Sequence, residues 1–428
     1  MSKELAFFGG QPVRYKDFPT DAVIGEEEKK AVMEVLDSGN LSGFIGRAGN
    51  NFGGGPTVLS LEHDICEYFG VKHCVSMNSA TSCLHAALIA CGVGAGDEVL
   101  VPPYTMSATA TAVLMQNAFP IFVDIDADDC CINPELIEDA ITPKTKAIIV
   151  VHLFGRPAHM ANIMGIAKKH NLRVIEDCAQ AMGAKYDGQF VGTWGDIGVF
   201  SFNQHKVVTC GEGGVAITND AELSFKMSLV RNHGEAFIDD EADEYQDSSY
   251  TQLIGYNYRM TELDAAVACE QFKKLDHFNL VRCGLAKYLS DRLSQFDDLY
   301  IHYIHPNDTC VYFTLPIHVL GTSVVSRKLL AAAINAEGIP INEGYTKPLY
   351  LAPVYQSKNN FSSQKYEKGL CPIAESLYEK YLMLISVCRM PNKISDMDDV
   401  VDAFRKVFDC NESLRDFKGF DNEDKDAV

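Results

Sequence analysis

This chain predicts an α/β fold: a large domain with a mostly parallel sheet, followed by a smaller α+β C-terminal domain. Three observations predict it. Between about residues 60 and 220, short β-branched runs alternate with helical patterns, the arrangement of a parallel sheet covered on both faces. The 428 residues exceed the size at which one hydrophobic core keeps growing, so a large and a smaller domain are expected. The composition, 47% hydrophobic and 22% charged, is globular and excludes a disordered or fibrous chain.

Taken in order, strands are predicted at Lys72–Met77, Glu98–Pro102, Ile121–Asp124, Ala147–Leu153, Leu172–Glu176, Val199–Phe202 and Gly214–Thr218. Helices are predicted between them at Thr81–Cys91, Asn133–Ile141 and His159–His170. Thr261–Lys274 reads as an amphipathic helix leading to the second domain, which holds a strand-like run at Val311–Ile317, a helix at Ser326–Gly338 and a last helix at Asp396–Phe408. The expected division is 1–275 for the large domain with its N-terminal segment, 276–420 for the C-terminal domain, and a frayed acidic tail at 421–428. In a parallel sheet ligands sit beyond the carboxyl ends of the strands, so the residues that follow each strand are searched first.

Charge limits the partners. With 58 Asp+Glu against 37 Lys+Arg the formal charge is −21, which disfavours nucleic acid and anionic membrane surfaces. No stretch approaches the roughly 20 apolar residues of a spanning helix, and MSKELAFFGGQP lacks a signal peptide's pattern. The 14 cysteines are scattered without a CxxC pair, and Cys130 and Cys131 are too close in sequence for an ordinary bridge. Free thiols, a cytoplasmic location and no metal site are therefore expected.

Three strand ends carry chemistry in combination. Lys206, in FSFNQHKVVTCGEGG, is either a surface lysine or a Schiff-base lysine made nucleophilic by an apolar pocket. Asp177, at the exit of Leu172–Glu176, is either a helix cap or the carboxylate that keeps a pyridine nitrogen protonated. Asn78–Ser82 opens a helix with small and hydroxylated residues, either as simple capping or as a phosphate cradle backed by the helix dipole. Ser201, just before the lysine loop, could add a hydroxyl to that phosphate.

On these residues the chain resembles the DegT/DnrJ/EryC1/StrS family of pyridoxal-phosphate sugar aminotransferases. FSFNQHK followed by GEGG is similar to the family's lysine signature, and IEDCAQAMG to its aspartate signature. VHLFGRPAHM, RNHG and GYNYRMTELDAA are further landmarks, and the likeness runs from about residue 5 to about 408. The resemblance implies an aspartate-aminotransferase-like fold, pyridoxal 5′-phosphate as cofactor, Lys206 as proton shuttle and Asp177 as partner of the pyridine nitrogen. It implies that Gln180 lies near the ring's phenolic oxygen and that Ala80, Thr81 and Ser201 hold the phosphate. Asn257 would reach the phosphate of a second subunit, because the family's sites form between the copies of a homodimer. The family's stacking aromatic falls at Met106 here, so Met106 or Tyr104 is expected against the ring.

The same resemblance implies glutamate or glutamine as amino donor and a keto or aldehyde sugar as acceptor. The favoured acceptor is an oxidised octulosonate, giving the 8-amino-3,8-dideoxy-octulosonate of lipopolysaccharide; the alternatives are a nucleotide-linked ketosugar or a cyclitol. Arg47 in the Gly-rich segment Gly43–Pro56 is a candidate carboxylate clamp, with Arg231, Lys347, Arg259 and Arg389 as other cations and His205 as a pocket residue. A non-catalytic cofactor-binding regulator is the reading from another class, and the intact lysine constellation speaks against it.

Overall fold

The computed structural model describes residues 4–19, 23–45, 51–234, 253–321, 323 and 325–417, so Arg47 and the tail 421–428 lie outside the described residues. The strands, in chain order, are β1 His73–Met77, β2 Glu98–Val101, β3 Phe119–Phe122, β4 Thr145–Val151, β5 Arg173–Asp177, β6 Lys185–Tyr186, β7 Gln189–Phe190, β8 Ile197–Ser201, β9 Gly214–Thr218, β10 Leu299–Ile301, β11 Leu315–Val319, β12 Ile341–Glu343 and β13 Leu382–Ile385. Seven of them form one sheet in the order β1-β9-β8-β5-β4-β2-β3, in which β9 alone runs against the rest. Every residue of β2, β8 and β9 is buried, as expected for strands covered on both faces. A second sheet, β10-β11-β13-β12, is antiparallel throughout.

The parallel strands need crossovers, and helices supply them. Helix α1 (Glu26–Ser38) and helix α2 (Pro56–Phe69) precede β1, α3 (Ala80–Ala90) follows it, and α4 (Ala108–Met115) joins β2 to β3. Proline at the first position of α2 and left-handed glycines after α1 and α2 set their limits. The main core lies on the seven-stranded sheet, and Leu349, Tyr350, Tyr355 and Tyr366 from far downstream pack into it. A second core surrounds the small sheet and takes in Leu5 and Phe18 from the N-terminal segment. Among the described residues no helix is long and apolar enough to cross a membrane.

Two expected elements differ. Asn133–Ile141 is not one helix: Pro134–Leu136 forms a 3-10 turn and Ile137–Ala140 a single α turn. Thr142 precedes Pro143, which disfavours helical continuation. The strand expected at Val311–Ile317 begins only at Leu315, because Tyr312 takes a positive φ of 47° that no extended strand accommodates. Leu275–Leu293, a 19-residue helix, went unread in the sequence.

Candidate active site

A cleft of about 530 Å³ opens at the carboxyl ends of β4, β5 and β8, where it meets Val151, Asp177 and Ser201, and at the N-terminus of α3. Ser79 caps that helix, its Oγ accepting from the Ser82 N–H at 3.1 Å. The N–H groups of Ala80 and Thr81 lie in the first turn, where helix geometry provides no carbonyl for them. Gly214 runs close alongside. A Cβ on Gly214 would stand 2.5 Å from the Ala80 nitrogen, so only glycine lets β9 start against the helix end.

Asp177 ends β5 and is 5% exposed. Its Oδ2 accepts from the Thr109 hydroxyl at 2.9 Å and its Oδ1 from the Ala179 N–H at 3.2 Å. Burial pushes its pKa up, while those two donors and the charge of Lys206 work against the rise. Lys206 lines the same cleft, held where the loop between β8 and β9 turns, with its N–H donating to the Asn203 carbonyl at 2.8 Å. Its Nζ sits 4.9 Å from the centre of the Phe313 ring. Burial pushes the ammonium's pKa down and Asp177 opposes that shift. A cation in an apolar wall beside a buried carboxylate is the arrangement that makes a lysine reactive.

Behind these two residues a network centred on the fully buried Glu176 and His152 fixes β5. Glu176 accepts from the N–H groups of Gly192, Trp194 and Gly195, and from His152 Nε2 at 2.9 Å. The backbone N–H of His152 in turn donates to the Asp177 carbonyl at 3.1 Å. Gln180 is locked as well: its Oε1 accepts from the Phe154 N–H and its Nε2 donates to the Tyr345 hydroxyl at 2.9 Å.

The structure brings together Ala80, Thr81, Met106, Asp177, Gln180, Ser201, His205 and Lys206 on one cleft. It sorts the two residues expected against the ring. Met106 is 57% exposed and lines the cleft, whereas Tyr104 is fully buried with its hydroxyl accepting from the Tyr345 N–H at 2.8 Å. Tyr104 thus supports the wall from behind and presents no face to it.

Arg231 is also not a free cation. It is 1% exposed, paired with Glu62 at 2.7 Å and donating to the Ser76 and Gly53 carbonyls, which makes it an internal tie between elements. Lys347 is exposed and does not line the cleft. Arg259 donates to the side-chain oxygens of Asn257 and Asn232. Asn257 itself is exposed and lies outside its own chain's cleft. Arg389 lines a separate small cavity of about 40 Å³ with Arg282 on the other side of Lys206.

Two lining residues, Phe313 and Tyr345, escaped the sequence reading, as did Thr109, which supports Asp177 from behind. Thr109 closes the same T-x-x-x-T segment as Met106, so its hydroxyl was there to be weighed. Phe313 and Tyr345 lie more than 100 residues downstream of Lys206 and carry no local signal; only the tertiary fold brings them to the cleft.

Pyridoxal phosphate fits this donor set. The glycine-lined cradle at the start of α3, with Ser201 beside it, suits a phosphate; Asp177 suits a protonated ring nitrogen, and Lys206 offers the amine.

Comparison with known proteins agrees with the geometry. A family model described as the DegT/DnrJ/EryC1/StrS aminotransferase family matches residues 23–405. The L-glutamine:2-deoxy-scyllo-inosose aminotransferase of Streptomyces kanamyceticus is 35% identical, over 95% of this chain and 97% of its own length. The UDP-N-acetyl-3-dehydro-alpha-D-glucosamine 3-aminotransferase of Acidithiobacillus ferrooxidans is 39% identical over 76% of this chain and 82% of its own. Among solved structures, an aminotransferase from Psychrobacter cryohalolentis superimposes with a TM-score of 0.80 at 31% identity, covering 92% of this chain and 99% of that one.

Proposed function

We propose, for a chain that belongs to the DegT/DnrJ/EryC1/StrS aminotransferase family and is a pyridoxal-phosphate-dependent aminotransferase, that the amino group goes from glutamine or glutamate to the ring carbonyl of a ketocyclitol or a nucleotide-linked ketosugar. The observation that carries this reading is Lys206 and Asp177 on one cleft beside the open N-terminus of α3. The relatives described above are named for a cyclitol ketone and a UDP-linked ketosugar. Their names move the reading away from the octulosonate and towards these acceptors.

When bound, pyridoxal phosphate supplies an electron sink and a carrier for the amino group. The chain's own residues do the rest. Asp177, steadied by Thr109 and Ala179, holds negative charge where a ring nitrogen would lie. Lys206 Nζ, set in the wall against Phe313, takes a proton from the donor's α-carbon and later returns one to the acceptor's carbon. Gln180 and Tyr345 form a fixed polar edge, and Met106 covers the mouth. Donor and acceptor use one cleft in turn, so ping-pong kinetics follow.

We place the active unit in a homodimer in a reducing, cytoplasmic setting. The exposed Asn257 and the 14 free thiols support this.

The test is a turnover panel with the cofactor-loaded protein: glutamine and glutamate as donors, against a keto-inositol, a UDP-linked 3-ketosugar and an 8-oxo-octulosonate. Turnover with one of the first two, abolished in Lys206→Ala, is expected. Preference for the octulosonate, or inactivity on both ring ketones, would overturn the acceptor reading.

A further inference from the structure

We propose that Cys130, His302 and His318 form a buried site for a zinc-class divalent cation, which ties the loop after β3 to the small sheet. One ligand atom from each, the cysteine Sγ and an imidazole nitrogen from either histidine, lies within 4.8 Å of the others. None of the three lines the catalytic cleft, so the site is separate from the one described above.

The strand register explains the pair of histidines. Tyr300 of β10 stands opposite His318 of β11, and His302 lies two residues beyond Tyr300, on the same face. The two imidazoles meet at 4.1 Å between ring centres and 78° between planes. Cys130 comes from the other side. Its loop is closed by the Ile125–Ile132 bridge, with the Cys130 N–H donating to the Asp126 carbonyl at 3.0 Å.

The independent observation is what these histidines lack. His302 and His318 are each 8% exposed, yet both ring nitrogens of His302 and the Nε2 of His318 have no hydrogen-bond partner. Buried polar groups left unpaired are costly, and a metal ion satisfies imidazole nitrogens as well as a proton donor does. By contrast the other buried cluster, His152, Glu176 and Cys178, has both histidine nitrogens already engaged.

Ligand chemistry narrows the ion. One thiolate and two imidazoles suit zinc, with a fourth, open position for water. Tetrahedral zinc holds such atoms about 3.3–3.6 Å apart, so closing on the ion needs side-chain shifts of about an ångström. The acidic groups lie on the cysteine side, where Asp126, Asp128 and Asp129 neighbour the thiol, whereas the Arg156 guanidinium faces all three ligands. Binding converts the Cys130 thiol to a thiolate and releases one proton to solvent. The sequence hid this set because Cys130 and the histidines lie far apart along the chain.

The test uses the full-length, tag-free, cofactor-loaded protein titrated with Co2+ alone. Equimolar uptake with a thiolate-to-cobalt charge-transfer band is expected, lost in Cys130→Ser and kept in Cys131→Ser. The Cys131 thiol instead points to the Asp129 carbonyl, which makes it the control. His318→Gln should weaken uptake by more than the roughly 10–100-fold that loss of an outer-shell partner causes. Should Cys130→Ser fold poorly, X-ray absorption of the zinc-loaded native protein gives the same answer through one sulfur and two imidazole scatterers. No equimolar uptake, or a spectrum without sulfur, would overturn the proposal. Aminotransferase turnover is read in parallel, so failure of the metal site is distinct from failure of the catalytic reading.

Discussion

At the scale of single residues, the site turns on how two charges share a dry wall. Burial works against the charged form of Asp177, and Thr109 is one of the few donors that oppose it. Thr109→Val removes a hydrogen bond to a charged group, about 1.5–3 kcal/mol. The expected loss in kcat/KM is roughly 10–100-fold; unchanged kinetics would sink the assignment. Lys206 gives a pH prediction. Burial lowers its pKa, so the neutral, reactive amine persists to lower pH than on an ordinary lysine and is lost by protonation as pH falls through that lowered value. The rate of cofactor capture, followed by absorbance, should titrate with a midpoint below the ordinary lysine range. A midpoint at or above that range would contradict the buried setting. Lys206 and Asp177 were legible because each sits in a contiguous motif at a strand end. Tyr104 was misjudged because a motif gives proximity along the chain, whereas the facing of a ring is set by what packs on it, here Tyr345.

At the scale of elements, the start of α3 and the start of β9 depend on each other. Gly214→Ala would drive a methyl group to 2.5 Å from the Ala80 nitrogen, displacing the first turn of α3. Affinity for pyridoxal phosphate should fall by at least about tenfold, equivalent to about 1.4 kcal/mol. An equilibrium titration checks it, with inorganic phosphate protection as a second readout. Helix α1 offers a stability prediction. Burial raises the pKa of Glu28, but Lys274, Gln271 and the Gly25 N–H outweigh it and hold the carboxyl at about 2. A folded value below the unfolded 4.5 stabilises the protein above pH 4.5, and that stability drains away as pH falls towards 2. Glu28→Gln should cost about 2 kcal/mol at neutral pH and flatten the acid limb of the denaturation curve between those values. A curve that keeps its slope would show that Glu28 is not responsible. Several strands of the large sheet were readable because apolar runs such as 99–101 and 147–151 alternate with helices. The small sheet was not: β10 and β12 have three residues each, too short to show a period, and their pairing with β11 and β13 is made across long sequence distances.

At the scale of the whole molecule, a chain of charge −21 holds an anionic cofactor, so attraction must be local. The α3 terminus, Ser201 and Lys206 provide it in one chain. Asn257 is exposed at the surface, and under the proposed homodimer it would serve a second copy. Mixed dimers test this: Lys206→Ala co-expressed with Asn257→Ala should yield heterodimers that bind cofactor more tightly at one site than the Asn257→Ala homodimer does. Equal binding by both would argue that Asn257 serves no neighbour. The one reversed strand has a final consequence for heredity. Since β9 returns directly after β8, the serine, the amine and the glycine platform are encoded in a single short stretch, residues 201–214. They are therefore gained or lost together. A single in-frame deletion there would remove all three at once, whereas the pairings among β5, β4, β2 and β3 involve none of its residues.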